Sequence, residues 1–530
     1  MFLLCISLMC IRLYSLSTAE NNRSMQVLDG QYTAKMNVAE RSGFVYDRNM
    51  KLLSHDKIGC VIAVNPASVK DVKKTASLLG ALSQTASPSE IYEKLLENTP
   101  FTLVTEDFEG AKRAAAQTEG VYSFDLYAEN NGIALHFMGY NNRDGKGVCG
   151  LRGYYSELLG EELFSSVTAR YETDALMRSM SHLSIDSTGY MSEDGIVTTI
   201  DRDLQEFTDS LCERVESGCV LVTDCESGEI LAMSSFPGYD AGNLASVLDS
   251  DKGELVNRCT MSFAPGSVFK LVVAAAALET DIYYGDFSYT CTGKIKVGRD
   301  EFSCHKHDGH GQQTLEDAFA NSCNTYFVAL GQSIGMERIT DMCRRFGLDR
   351  ACSADFLTES RNHFPDTENG SEGYLANISF GQGDLCLSPL DLTRIYMCVS
   401  DGYLMPLSAV RGEIRGGRTV LPADKRKTKV LSPDTREKLL SMMEKCVLYG
   451  TGKEAAVEGA RVFGKTATAQ TGRFTGEGVE LEHKWFCGLY ERDGKFTAIT
   501  VLCDYTDSKN VSASEIFSLI VSYIKERNEG

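Results

Sequence analysis

Basic residues are in deficit. The 530-residue chain carries 53 Lys and Arg against 73 Asp and Glu, a net charge of -20. Phosphate contact needs a basic surface, so this balance argues against a nucleic-acid partner. No Cys-x-x-Cys pair occurs, and the 18 cysteines are scattered singly. They read as small hydrophobes packed in a core rather than as a disulfide framework. No internal repeat or low-complexity tract appears, and no second apolar run of about 20 residues follows the amino terminus.

What is present describes an ordinary globular protein, with 43% hydrophobic and 24% charged residues. The length implies two or three domains. Met1–Leu16 is apolar apart from Ser7, Arg12 and Ser15, and is short for a bilayer span. Residues 1–17 are read as a membrane anchor whose start lies upstream, in preference to a cleaved signal ending near Ser17-Thr18-Ala19. The missing basic leader favours the anchor, and the signal reading stays open.

From residue 18 to 190 the pattern is mixed: helix-like at Pro88–Leu96, strand-like at Tyr122–Tyr127, and free of any catalytic constellation. From Gly195 the grammar changes. Ile196–Ile200 reads as a strand and Asp203–Val215 as a helix. Val220–Asp224 and Glu229–Phe236 flank a hairpin turn. Ala460–Ala469, Trp485–Glu491 and Phe496–Asp504 read as strands and Ser512–Arg527 as an amphipathic helix. A sheet layered with helices follows, in an α+β multidomain chain.

Pro265 and Gly266 break the structure before Ser267, and the alanine-rich run Leu271–Glu279 propagates a helix. Ser267 is thereby expected in the first helical turn, with Lys270 on the same face. A serine hydroxyl needs a neighbouring base, and lysine serves only if burial or positive charge lowers its pKa. Ser-x-x-Lys alone is cheap, since Ser54/Lys57 and Ser522/Lys525 share the spacing. Ser322-Cys323-Asn324 is equally cheap, as Ser360/Asn362 and Ser508/Asn510 show. Phe463–Thr468 reads as a strand with Lys465 and Ala467 on one face, Thr466 and Thr468 on the other. Order and context give the three weight that none has singly.

In that order the motifs resemble those of penicillin-binding proteins and serine β-lactamases. Thr199–Gln205, Gly228–Met233, Phe380–Asp384, Gly450-Thr451-Gly452 and His483–Phe486 narrow the likeness to class B penicillin-binding transpeptidases. More thinly, Arg41–Arg48 resembles that family's motif just after the anchor, and Gly139-Tyr140, Gly147–Leu151 and Leu159-Gly160 resemble its pedestal region. The resemblance implies a pedestal, dimerisation-like domain over 18–190, and over 191–530 a transpeptidase domain with an antiparallel sheet packed between helices. It implies Ser267, Lys270 and Ser322 as catalytic, and Asn324, Lys465, Thr466 and Thr468 as substrate-binding. The ligands implied are D-Ala-D-Ala stem peptides and β-lactams, with no cofactor. The partner implied is a glycan polymerase of the membrane, with the catalytic domain extracytoplasmic. A penicillin-binding scaffold without catalysis and a β-lactam-hydrolysing relative are the alternatives.

The family usually has glycine where this chain has Ala467, so an added methyl is expected to crowd the site or be absorbed by a small shift. Cys291, Cys304, His305, His307 and His310 invite a zinc reading. Free, packed cysteines are preferred to it and to a Cys291–Cys304 disulfide, and no metal is expected.

Overall fold

The computed structural model describes Met9, Arg12, Tyr14 and residues 33–530, except 181, 281–285, 351, 361, 364–369, 422–425, 477, 507–511 and 530. The anchor expected over 1–17 lies almost wholly outside the described residues. Among them, no helix is long and apolar enough to cross a membrane.

The centre of the larger body is a five-stranded sheet in the order Ile230–Phe236, Gly218–Asp224, Lys495–Thr506, Glu480–Arg492, Arg461–Phe474. Every neighbouring pair is antiparallel. Gly218–Asp224 is buried at six of its seven positions, because both faces are covered. Val220 and Val222 point to a layer made by helices Arg202–Cys212 and Ala513–Glu529. Cys219 and Leu221 point to the opposite core, which surrounds helix Lys270–Leu278 and helix Pro389–Asp401. The alternation of a strand thus assigns residues to two cores rather than to core and solvent. Helix Lys270–Leu278 is buried at every position. Its run of small side chains lets neighbouring helices approach closely on all sides.

The amino-terminal part builds two smaller sheets. Phe101–Thr105, His55–Val64 and Val121–Glu129 pair antiparallel and carry the helices Val72–Leu82, Pro88–Glu97 and Phe108–Gln117. The second of these helices begins with a capping box between Ser87 and Glu90, with Pro88 in its first turn. Thr33–Arg41 pairs with Ser165–Glu172.

The two parts are interleaved. Phe44–Tyr46 runs parallel to Gly195–Val197, in a sheet completed by Val410–Arg415 and Arg418–Val420. Phe137, Leu151 and Leu159 belong to the large core around the central helix. Motif residues outside the cleft act as fasteners. Gln205 exchanges hydrogen bonds with the Met233 backbone at 2.7 and 3.1 Å. Arg48 and Arg411 both pair with Glu229, and Arg41 donates to the carbonyls of Tyr190 and Ser192.

Candidate active site

The expected strands and helices all form, and they bring three remote segments together. Gly266–Phe269 is a 3₁₀ turn and the α-helix begins at Lys270. Ser267 therefore stands just before the α-helix rather than in its first turn. Gly266 sets this entry with φ +56°, a conformation glycine adopts without strain. The turn is pinned from three sides. Trp485 Nε1 donates to the Ala264 carbonyl at 3.0 Å. Phe263 exchanges backbone hydrogen bonds with Leu387, and the Tyr396 hydroxyl donates to the Val268 carbonyl at 3.1 Å.

Lys270 is fully buried. Its Nζ lies 3.0 Å from Ser267 Oγ, 3.2 Å from Ser322 Oγ, 2.9 Å from the Ser322 carbonyl and 2.7 Å from Asn324 Oδ1. Burial, and then the charge of Lys465, push its pKa well below the ordinary lysine value. That is the condition for a lysine to accept the Ser267 proton, and it arises from desolvation first. Ser322 holds φ +53°. This left-handed turn lets both its carbonyl and its hydroxyl face Lys270, while Asn324 opens helix Asn324–Ile334.

The sheet edge supplies the third wall. Lys465 is fully buried, with its pKa lowered by desolvation, and its Nζ donates to the Thr466 carbonyl at 3.0 Å. Thr466 is half-buried and Thr468 exposed, on the opposite face from Lys465 and Ala467, as the strand period requires. Ser267, Ser322, Asn324, Thr466, Ala467 and Thr468 share one cleft of about 620 Å³. Lys270 and Lys465 lie beneath it. A second cavity of about 610 Å³, beside Asp209 and Phe236, contains none of these residues.

Gly266 packs against the strand that carries Ala467. A Cβ at Gly266 would lie 3.4 Å from the Ala467 methyl and 3.1 Å from the Thr468 carbonyl oxygen. Ala467 is 6% exposed and lies along the inner edge of the cleft.

Thr451 also lines the cleft. Thr451, in Gly450-Thr451-Gly452, meets the Thr466 hydroxyl at 2.6 Å. Glycines on both sides of a hydroxyl are its only local signal. The cysteines at 291 and 304 are free thiols, not a disulfide.

A cleft serine on a buried lysine, beside a Ser-x-Asn turn and a Lys-Thr strand, defines a serine acyl-transfer centre. Residues 218–522 match the penicillin binding protein transpeptidase domain. The chain belongs to that family, among the class B penicillin-binding proteins. It is 28% identical over 453 residues to Stage V sporulation protein D of Bacillus subtilis, covering 81% of this chain and 68% of the relative. It is 26% identical over 354 residues to peptidoglycan D,D-transpeptidase FtsI of Escherichia coli K12, covering 65% and 56%. Penicillin binding protein 3 of Mycobacterium tuberculosis, solved with aztreonam, superposes with a TM-score of 0.65 at 22% identity, over 94% of this chain and 97% of that one.

Proposed function

We propose that the protein is a peptidoglycan D,D-transpeptidase that works through an acyl-enzyme on Ser267. Ser267 Oγ attacks the carbonyl of the penultimate D-alanine of a stem peptide, and Lys270 takes its proton. Ser322, 3.2 Å from Lys270 Nζ, passes a proton to the departing terminal D-alanine. An amine of a second stem then attacks the ester, releases Ser267 and closes the cross-link. Asn324 orients the substrate amide, while Lys465, Thr466 and Thr468 hold the terminal carboxylate. The N–H groups of Ser267 and Thr468 receive the developing oxyanion. β-Lactams acylate the same serine. The observation that carries this reading is Lys270 Nζ, buried and within 3.2 Å of both serine hydroxyls.

Intact-mass analysis with benzylpenicillin is the test. A lasting adduct in wild type, absent from Ser267→Ala, is expected. Folded wild type that takes no adduct would leave a non-catalytic scaffold, and rapid drug turnover would mark a hydrolase.

The division into a pedestal over 18–190 and a catalytic domain over 191–530 belongs to the same reading. So do single-pass anchoring by residues 1–17, an extracytoplasmic catalytic domain and a membrane glycan polymerase as partner. The apolar character of Met1–Leu16 supports the anchor. Full-length protein should sediment with membranes and resist carbonate extraction, whereas removal of residues 1–24 should release it. Full-length protein in the soluble fraction contradicts the anchor.

A further inference from the structure

Beyond the carboxyl end of helix Met336–Arg345 lies a cavity of about 180 Å³. Arg350, Arg394 and Arg426 line it, with Thr428 and an apolar side made by Leu404 and Pro406. No Asp or Glu lines it among the described residues. In a chain with a net charge of -20, three guanidinium groups around one hollow are out of proportion. The hollow shares no residue with the Ser267 cleft.

The backbone brings these groups together. Gly347 N closes the helix by donating to the Arg344 carbonyl at 2.8 Å, and Leu348 N donates to the Cys343 carbonyl at 3.0 Å. Gly347 holds φ +75°. A Cβ there would stand 3.1 Å from Arg394 Nη2 and 3.5 Å from Arg350 Nη2, so the two forks converge over a residue with no side chain. Like charges at such range repel, and an anion between them removes the repulsion. Arg394 is 8% exposed. Its Nη1 donates to Asp391 Oδ1 at 3.2 Å, while its buried Nε has no hydrogen-bond partner. A buried donor with its bond unmade is costly, more so on a charged group. Glu359 lies beside Asp391, and burial, then the charge of Asp391, push its carboxyl well above the carboxylate range. Of that pair, Asp391 carries the charge that faces Arg394. Arg350 and Arg426 are exposed and have no ion pair or hydrogen bond among the described residues. The partial negative charge at the helix carboxyl end, about half a unit, offsets only part of theirs.

We propose that Arg350, Arg394 and Arg426 form a binding site for a phosphate dianion, either inorganic phosphate or a phosphate monoester. Asp391 balances Arg394, which leaves the charges of Arg350 and Arg426 at the hollow. A phosphate monoester carries a charge of about -1.5 to -2 at neutral pH and meets both. A carboxylate would leave one of them unmet. Guanidinium forks match phosphate oxygens two at a time, and the Thr428 hydroxyl adds a donor. Leu404 and Pro406 suit an ester with carbon beyond the phosphate, whether a soluble one or the headgroup of a lipid. The site does not depend on the acyl-enzyme reading.

The full chain in neutral detergent is titrated with inorganic phosphate by calorimetry, in a low-salt Hepes buffer. Saturable binding at one site per chain is expected, weakened at least about tenfold in Arg350→Gln and in Arg426→Gln. Both side chains are exposed, so the variants should fold, and circular dichroism checks that. Arg350→Lys keeps the charge, loses the fork and should retain part of the affinity. Folded wild type with no saturable uptake up to about 10 mM phosphate overturns the site. So does binding that neither glutamine variant weakens, or acetate that binds as tightly as phosphate. Dihexanoyl phosphatidic acid, a soluble lipid, separates the two sources. Binding at least about tenfold tighter than inorganic phosphate supports a lipid headgroup, and equal or weaker binding supports a soluble phosphate. Wild type that takes up phosphate but forms no adduct with benzylpenicillin sinks the catalytic reading and leaves this site standing.

Discussion

Lys270 has two neighbours that decide its chemistry, Ser267 in front and Lys465 at the sheet edge. Its pKa is depressed by burial and then by the charge of Lys465. Only the neutral amine accepts a proton, so acylation of Ser267 falls as pH drops through this depressed value and levels off above it. Removing the Lys465 charge in Lys465→Gln lets the Lys270 pKa rise. The midpoint of the acylation–pH profile should then move to higher pH, measured with a fluorescent penicillin by stopped flow. A midpoint that does not move would show that Lys465 leaves the base untouched. The Gly266 and Ala467 pair makes an opposite-direction test. Gly266→Ala places a methyl 3.1 Å from the Thr468 carbonyl on a residue with φ +56°. It should cost about 1–2 kcal/mol in backbone strain alone and displace Ser267. Ala467→Gly should cost only about 0.5–1 kcal/mol and leave the adduct intact. Thermal melts with intact-mass analysis read both.

Among elements, the turn ahead of the central helix is held less by its own hydrogen bonds than by neighbours from distant strands. Trp485 supplies one such bond from the middle of Glu480–Arg492, where its indole is buried against the large core. Trp485→Phe keeps most of the apolar contact and orphans the Ala264 carbonyl. The loss should be about 1–3 kcal/mol, with slower acylation of Ser267 and unchanged strand content by circular dichroism. Acylation at the wild-type rate would mean that the turn holds its shape without the indole. The strands themselves were legible from alternation and the hairpin residues. The 3₁₀ entry at Gly266–Phe269 was not, because helix propensity does not distinguish a turn of i→i+3 bonds from the α-helix that follows it.

Across the whole molecule, a half-buried carboxylate joins the amino-terminal part to the catalytic one. Asp209, on the helix Arg202–Cys212, accepts from the Ala134 N–H at 3.1 Å, from the Ser234 hydroxyl at 2.6 Å and from Gln205 at 2.9 Å. Burial outweighs these bonds and pushes its pKa up to about 6. A carboxyl whose folded pKa is raised binds its proton more tightly when folded. Its contribution is therefore fully present below about pH 4 and is lost as pH rises through about 6. Relative to Asp209→Asn, which does not titrate, wild type should lose up to about 3 kcal/mol between those limits. Denaturant melts of both proteins at pH 4, 5, 6 and 7 measure the difference, and parallel curves would contradict it.

Period and turn chemistry determined the strands of the central sheet and the helix behind Ser267, because each is a local property of the chain, and the order of three short motifs supplied the candidate reacting residues. Tertiary structure decided what depends on segments far apart in sequence. Phe44–Tyr46 completes a sheet with Gly195–Thr198, and Gly266 packs against the strand Arg461–Phe474. Arg350, Arg394 and Arg426, from three separate segments, line one cavity. Sequence spacing carries no information about such meetings, since they are fixed by which faces must be buried together.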